Sequence, residues 1–270
     1  MFKLLRADFY KLFRSVSFYI CAALTAIFGA IAVFQKAISL QAFYEQTFGI
    51  ELDMGMLGLT GLDVMNSPLG SPPVILLILT GIAVALFTVT DFSNGTIKNI
   101  ISRGHRRVTY FFSKLVTNIV TSTIYTVISC AVAFGVGNWV FSYGEPTKDD
   151  YVKAITSIGT FMILMVCIVA MVTMLAFVCR NSGGAIVAAI LVSSDILSAL
   201  LFSFIDWLIK NWELAKDFRI EKYWPAFQSS IVVQGTWGEE MVNVALIVCG
   251  CWFVFSLIVG IFTFMKRDIK

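Results

Sequence analysis

The sequence predicts an all-α integral membrane protein with six membrane-spanning helices. Of its 270 residues 58% are hydrophobic and only 14% are charged, whereas soluble domains carry about a quarter charged residues. Long apolar runs recur along the whole chain and do not alternate as the strands of a membrane barrel do. Because backbone groups in lipid must be satisfied within each segment, the spans are expected to be helices.

Six segments have the roughly 20 mostly apolar residues that a membrane crossing needs. They lie at about residues 16–34, 72–90, 108–141, 154–178, 184–206 and 241–265. The third is longer than a straight span requires, so it is expected to begin at the interface or to be strongly tilted. The spans and their connections are interpreted as a single transmembrane domain, residues 1–270.

The distribution of lysine and arginine predicts the orientation of the spans. Thirteen of the 20 lysines and arginines fall beside the two termini, the loop between spans 2 and 3, and the short loop between spans 4 and 5. The opposite side carries the other basic residues and most of the acids. Since cytoplasmic loops carry the basic excess, both termini are expected to face the cytoplasm.

An amphipathic helix is predicted over residues 2–13, before the first span. Its apolar arc contains Phe2, Leu5, Phe9, Leu12 and Phe13, and its basic arc contains Lys3, Arg6, Lys11 and Arg14. Such a helix is expected to lie in the headgroup plane, with its basic arc toward anionic lipid. The plainer alternative is an ordinary positively charged start of a span.

Two long external loops are predicted, at residues 35–71 and 207–240. The second contains Trp207, Trp212, Trp224 and Trp237. Tryptophans at this density are typical of helices that rest at the membrane–water boundary before the last span. They are also suited to contact an amphipathic substrate, and the sequence leaves both interpretations open.

Several kinds of chemistry are not supported by any motif. There is no phosphate-binding G-x-x-x-x-G-K-[ST] loop and no G-x-S-x-G elbow, and one histidine cannot form H-E-x-x-H. The six cysteines lie in apolar runs without a C-x-x-C pair, so they are interpreted as packing residues rather than metal ligands. The net charge of +3 is too small and dispersed to indicate nucleic-acid binding. We therefore expect no catalytic residue, no metal site and no nucleic-acid partner.

One acid, Asp195, lies near the middle of the fifth span beside Ser194. A carboxylate at membrane depth is costly and needs a partner, a watery path or a protein interface. It is interpreted either as a polar contact on a translocation path or between subunits, or as a neutral acid bonded to a neighbouring helix, for instance to Asn118.

The loop between spans 2 and 3, residues 91–107, reads DFSNGTIKNIISRGHRR. A short helix is predicted through TIKNIIS, capped by Ser93 or Asn94, with Asp91 near its positive end. Gly104 is expected to stop the helix in a left-handed conformation.

The predicted short helix carries an apolar stripe, formed by isoleucines at helical spacing, and a basic patch that follows it. The stripe is Ile97, Ile100 and Ile101, and the patch is His105, Arg106 and Arg107. Such a helix either rests on lipid headgroups or inserts its apolar face into a groove of a soluble partner.

The pattern D-[FY]-x-x-G-T-I-[KR]-N followed by G-H-x-R resembles the permease subunits of bacterial type-2 ATP-binding-cassette (ABC) transporters. The matching residues are Asp91, Gly95, Thr96, Ile97, Lys98, Asn99, Gly104, His105 and Arg107. Members of that family have an amphipathic entry helix, six spans, a cytoplasmic coupling helix between spans 2 and 3, and helices outside the membrane between spans 5 and 6. The predicted layout of this chain is similar on each count.

The resemblance implies a non-catalytic permease subunit of an ATP-driven exporter in the bacterial cytoplasmic membrane. Two permease subunits, identical or different, would pair with two copies of an ATPase subunit, which would hold the ATP and magnesium that this chain does not bind. The coupling residues would be Asn94, Gly95, Thr96, Ile97, Lys98, Ile100, Ile101 and Arg103. His105, Arg106 and Arg107 would meet acidic or lipid groups at the rim.

The family exports peptides, antibiotics, lipid-like polymers and other amphipaths, so an amphipathic or hydrophobic cargo is expected. Two other functions remain open. The chain could be a membrane anchor or sensory partner that moves nothing, or a secondary transporter that works through Asp195.

Overall fold

The computed structural model describes residues 2–48, 73–104, 106–141, 148–194, 203–205, 207–208, 224–225 and 239–266. The main helices within these ranges are α1 (Phe2–Arg14), α2 (Val16–Phe48), α3 (Pro73–Ser93), α4 (Thr96–Ser102), α5 (Arg107–Val140), α6 (Lys148–Cys179), α7 (Ser182–Ser193) and α8 (Glu239–Lys266). No strand occurs in the described part of the chain. The predicted all-helical class is confirmed there.

Among the described residues, five helices are long and apolar enough to cross a membrane, namely α2, α3, α5, α6 and α8. They include the first four predicted spans and the last one. The chain is therefore a multi-pass membrane protein. The third span is one helix of 34 residues, which corresponds to a length of about 51 Å. It exceeds the hydrocarbon thickness, as its long apolar run predicts.

The helix described within the fifth predicted span, residues 184–206, ends at Ser193. Helix α7 has 12 residues, or about 18 Å, which is shorter than the hydrocarbon core. Ser194 after it has an extended backbone, with φ −98° and ψ 149°. Serine side chains favour such non-helical positions. Asp195 lies outside the described residues, so its role and a sixth crossing stay predictions.

Helix α2 is longer than predicted. The predicted first span ends at residue 34, whereas the helix continues without a break to Phe48. The added residues 35–48 contain no glycine or proline, and nothing in them interrupts the backbone hydrogen bonds of the helix. The first part of the predicted external loop is thus helical.

Helix α6 lies at the centre of the bundle. The most apolar window of α6 is 72% buried, against 28–56% for the other four helices. Small residues let neighbouring helices approach closely. A Cβ atom on Gly81 of α3 would lie 2.7 Å from the Ser193 hydroxyl of α7, and one on Gly29 of α2 would lie 2.9 Å from the Ser129 hydroxyl of α5. At Gly29 the added Cβ would also lie 3.0 Å from the Ser129 carbonyl oxygen, so alanine there would require the backbones of α2 and α5 to shift.

One end of the bundle collects the short helices, and we call it the α4 end. Here α1 and α4 meet the last turns of α3, α6 and α8 and the first turns of α5. Their shared apolar cluster contains Leu4, Ile97, Tyr110, Phe111, Phe177 and Phe264. The Phe177 ring is its centre, with centroids 5.0 Å from both Phe111 and Phe264. Every helix of this end contributes to one packed unit.

Candidate functional site

Helix α4 is bounded by two glycines in left-handed conformations. Gly95 precedes it with φ +65°, and Gly104 follows it with φ +84°. The Gly104 N–H donates to the Ile101 carbonyl at 3.0 Å, so the predicted glycine stop is confirmed. The predicted cap is wrong. Ser93 is the last residue of α3, and its hydroxyl donates to the Thr90 carbonyl at 3.1 Å.

Asp91 joins α4 to α3 through a side-chain contact, although it does not cap a backbone N–H of α4. The Thr96 hydroxyl donates to the Asp91 carboxylate at 3.1 Å and to the Asp91 carbonyl at 3.2 Å. The first residue of α4 is therefore tied to the last turn of α3. The predicted position of Asp91, near the positive end of the short helix, agrees with this contact.

The isoleucine stripe of α4 faces the chain's own core. Ile97 is buried among Leu4, Tyr110 and Phe264, and Ile100 and Ile101 are half-buried against the same cluster. The expectation that these isoleucines insert into a partner's groove is therefore corrected for Ile97. Helical periodicity predicts an apolar face, but it cannot tell an intramolecular neighbour from a separate protein.

The opposite side of α4 is polar and exposed. We call Lys98, Asn99, Ser102 and Arg103 the α4 outer face, and all four are solvent-accessible. Asn94, in the turn before α4, is exposed as well, whereas Gly95 and Thr96 are half-buried. Charged and hydrogen-bonding side chains are therefore the groups through which α4 can contact another molecule.

A buried group of charges lies directly beneath α4. The Lys114 ammonium is 2.8 Å from an Asp91 carboxylate oxygen and 2.9 Å from one of Asp8. The Lys114 side chain is fully buried, and the Asp8 and Asp91 side chains are 2% and 5% exposed. Lys11 binds the other Asp91 oxygen at 3.0 Å. We call these four residues the ion cluster.

Neutral groups complete the surroundings of the ion cluster. The Ser113 hydroxyl donates to Asp8 at 2.6 Å, and the Tyr110 hydroxyl donates to Asp91 at 2.8 Å. The Lys114 ammonium also lies 4.1 Å from the centroid of the Phe87 ring, close enough for a cation–π contact. Two carboxylates and two ammonium groups give the ion cluster no net charge, which suits its burial.

The ion cluster connects four helices. Asp8 and Lys11 belong to α1, Asp91 to α3 and Lys114 to α5, and Asp91 also holds the first residue of α4. Removing one partner of a buried ion pair leaves an uncompensated charge and costs about 3–5 kcal/mol. The cluster therefore fixes the positions of α1 and α4 relative to the spans.

Sequence reasoning missed the ion cluster. The thirteen basic residues that indicate the orientation include Lys114, although it lies within the predicted apolar segment 108–141. An ionisable residue inside a span indicates a buried partner, so Lys114 carries the same signal as Asp195. The three-residue spacing of Asp8 and Lys11 on α1 gives no comparable signal.

The described residues of the predicted basic patch, Arg106 and Arg107, have different surroundings in the structure. Arg107 donates to the Phe264 and Met265 carbonyls at 3.2 and 3.0 Å, two acceptors in the last turn of α8 that lack an intrahelical partner. Arg107 thus joins the last span to the start of α5. This contact within the chain differs from the expected contact with acidic or lipid groups at the rim of the site. Arg106 is exposed, and His105 lies outside the described residues.

Asn118 is fully buried and joins three spans. Its amide nitrogen donates to the hydroxyls of Thr88 in α3 and Thr173 in α6, each at 3.0 Å. Ser194 is also buried. The contacts described for Asn118 hold helices together, and a role on a translocation path or at a subunit interface stays a prediction.

A family model described as "Protein of unknown function (DUF2705)" matches residues 19–270. The chain belongs to the DUF2705 family. No curated protein matches the chain. The part that matches DUF2705 contains Asp91 and Lys114, whereas Asp8 and Lys11 precede it. The family description names no activity, so a function has to be argued from the site. No three His, Cys, Asp or Glu side chains in the described ranges could hold a metal ion.

Proposed function

We propose that the chain is the permease subunit of an ATP-driven ABC exporter in the bacterial cytoplasmic membrane. Two copies of a separate ATPase subunit would hold ATP and magnesium, and a second permease subunit would complete the transporter. One observation supports this most. A short helix with an exposed polar face, α4, is tied through a buried ion cluster to helix α1 and to two spans.

The connections of α4 suit the transmission of force. Thr96 binds Asp91, and Asp91 in turn binds Lys114 of α5 and Lys11 of α1. A displacement of α4 at Thr96 would also strain these buried ion pairs, and their loss is costly. Helix α4, the last turn of α3, the first turns of α5 and the second half of α1 would therefore move together when an ATPase closes on ATP.

The contact with the ATPase would be made by the α4 outer face. Its Lys98 and Arg103 are exposed cations, and they fit acidic or polar groups on the rim of a groove. This differs from insertion of the isoleucine stripe, because Ile97 is already packed in the chain's own core.

The docking proposal is tested by co-expression with the ABC ATPase that we expect to be encoded beside this gene. Reversing both charges, with Lys98→Glu and Arg103→Glu, should lower ATPase recovery with the purified chain about tenfold or more. Lys153→Glu is the matched control, since Lys153 is exposed near the other end of α6, about 36 Å from Phe177 along that helix. Equal recovery with both variants would contradict docking at α4.

The proposed cargo is an amphipathic or hydrophobic molecule such as a peptide, an antibiotic or a lipid-like compound. Liposomes that contain the chain and the ATPase should move such a cargo only when ATP is present. An anchor or sensory partner would bind the ATPase and move nothing. A secondary transporter would work without the ATPase and would lose transport on Asp195→Asn.

A further inference from the structure

A cleft of about 360 Å³ opens beside the ion cluster, between α1, the start of α2, α3 and α5. We call it the α1–α3 cleft. Its volume lies in the range of small-molecule sites, which is about 300–1,000 Å³. The cleft borders Thr90 and Asn94, where the span of α3 ends. The cleft therefore extends across the boundary between the apolar part of the bundle and its polar end.

The two ends of the α1–α3 cleft differ in chemistry. Lys11, Arg14 and Asn94 line one end, whereas Phe18, Ala83 and Phe87 line the other. Such a cleft matches a molecule with an anionic head and an apolar tail. In a membrane protein, the molecule of that kind that surrounds the spans is an anionic phospholipid.

The charges at the polar end favour an anion. Each Asp91 carboxylate oxygen is already bound, one by Lys11 and Thr96 and the other by Lys114 and Tyr110. The ion cluster is neutral as a whole, and Arg14 adds a positive charge at the polar end that no carboxylate of the described residues pairs with.

Donors also remain at the polar end. The Lys11 side chain is 43% exposed and directs one N–H to Asp91, although an ammonium group has three donors. Arg14 is exposed, and its Nη1 donates to the Tyr10 hydroxyl at 2.7 Å. Its guanidinium group carries five N–H donors in total.

We propose that the α1–α3 cleft binds one anionic phospholipid, with its phosphate between Lys11 and Arg14 and an acyl chain along Ala83, Leu86 and Phe87. The lipid would hold α1 against α3 and contact the ion cluster through Lys11. This inference does not depend on the chain being a transporter.

The test measures retention of phosphatidylglycerol by the purified full chain in detergent, with native mass spectrometry as the readout. About one phosphatidylglycerol per chain should remain bound, whereas phosphatidylcholine of the same acyl length should be lost at least tenfold more readily. Phosphatidylglycerol should also raise the melting temperature, because a ligand of the folded state stabilises it. Equal retention of both lipids would overturn the proposed selection by charge.

Two arginines of α1 provide a matched pair of variants. Arg14 lines the cleft and Arg6 does not, although both are exposed. Arg14→Gln should weaken retention of phosphatidylglycerol about tenfold, as expected for a lost charge-assisted hydrogen bond, whereas Arg6→Gln should change it less than twofold. Equal losses in the two variants would show diffuse attraction to the basic helix and would contradict a site.

A phosphatidylglycerol with a photoreactive acyl chain locates the tail. Crosslinks are expected in the segment 83–87 of α3. Crosslinks confined to other helices would contradict the proposed tail position. Inorganic phosphate should not displace the lipid, because it has no acyl chain, and displacement at equal concentration would show that the site recognises phosphate alone.

Discussion

Lys114 and Asn118 lie one turn apart on the same buried face of α5, but they hold different parts of the molecule together. Lys114 uses ion pairs to bind α1 and the end of α3. Asn118 uses neutral hydrogen bonds to bind α3 and α6 inside the bundle. The charged contact thus attaches α1 and, through Asp91, α4 to the spans, whereas the neutral one attaches spans to each other.

The difference follows from the cost of each type of contact. A buried charge without its partner is penalised by several kcal/mol, whereas a hydrogen bond between membrane helices contributes about 0.6 kcal/mol on average. Breaking the ion cluster should therefore be far more damaging than breaking the Asn118 contacts. Its damage should also be confined to the α4 end, where α1 and α4 are held.

The largest effect is expected from Lys114→Met, which removes the ammonium shared by Asp8 and Asp91. The two buried carboxylates then lose their partner, so the free energy of unfolding should fall by about 3–5 kcal/mol. Thermal unfolding in detergent measures the change. Lys98→Met is the control, because Lys98 is exposed and its loss should change stability by less than about 0.5 kcal/mol. A Lys114→Met chain as stable as the control would contradict a paired buried lysine.

A smaller effect is expected from Asp8→Asn, which keeps the shape of the side chain and removes its charge. Lys114 retains Asp91, so the loss should be about 1.5–3 kcal/mol, the contribution of a hydrogen bond to a charged group. Hydrogen exchange should become faster in α1 and stay unchanged in α6. Faster exchange throughout the bundle would show that the ion cluster supports the whole fold rather than its α4 end.

The smallest effect within the bundle is expected from Asn118→Leu. It removes two hydrogen bonds to Thr88 and Thr173, and the free energy of unfolding should fall by about 1 kcal/mol. Exchange in α1 should be unchanged, in contrast to Asp8→Asn. A larger fall in the free energy of unfolding than that of Lys114→Met would contradict the account. It would indicate that Asn118 is the more important buried polar residue.

The membrane-spanning helices could be predicted from the sequence, because each one corresponds to a long run of apolar residues. The spans that became α2, α3, α5, α6 and α8 were identified from length and hydropathy alone. Local backbone chemistry was also visible, since the left-handed Gly104 was predicted from its position after TIKNIIS. Such features depend on neighbours in the chain.

Contacts between distant residues could not be predicted in the same way. Lys114 binds an aspartate 106 positions away, and its sequence neighbourhood looks like any basic flank of a span. The sequence also could not show that the isoleucine stripe packs against the chain's own core. The burial of Ile97 depends on Leu4 and Phe264, which come from the two ends of the chain. The sequence therefore predicts where along the chain the candidate site lies. Its ion pairs and hydrogen bonds are seen only in the folded structure.

The central proposal is that α4 passes force to the spans through the ion cluster, and hydrogen exchange of the chain bound to the proposed ABC ATPase tests it most directly. On addition of ATP, exchange in α4 and in residues 107–118 should change together in the native chain. In the Thr96→Val variant, which removes the hydroxyl that α4 donates to Asp91, the ATPase should remain bound and α4 should still respond, but the change in residues 107–118 should be at least halved. An unchanged response of residues 107–118 in the variant, or failure of the native chain to bind any ABC ATPase, would contradict the account.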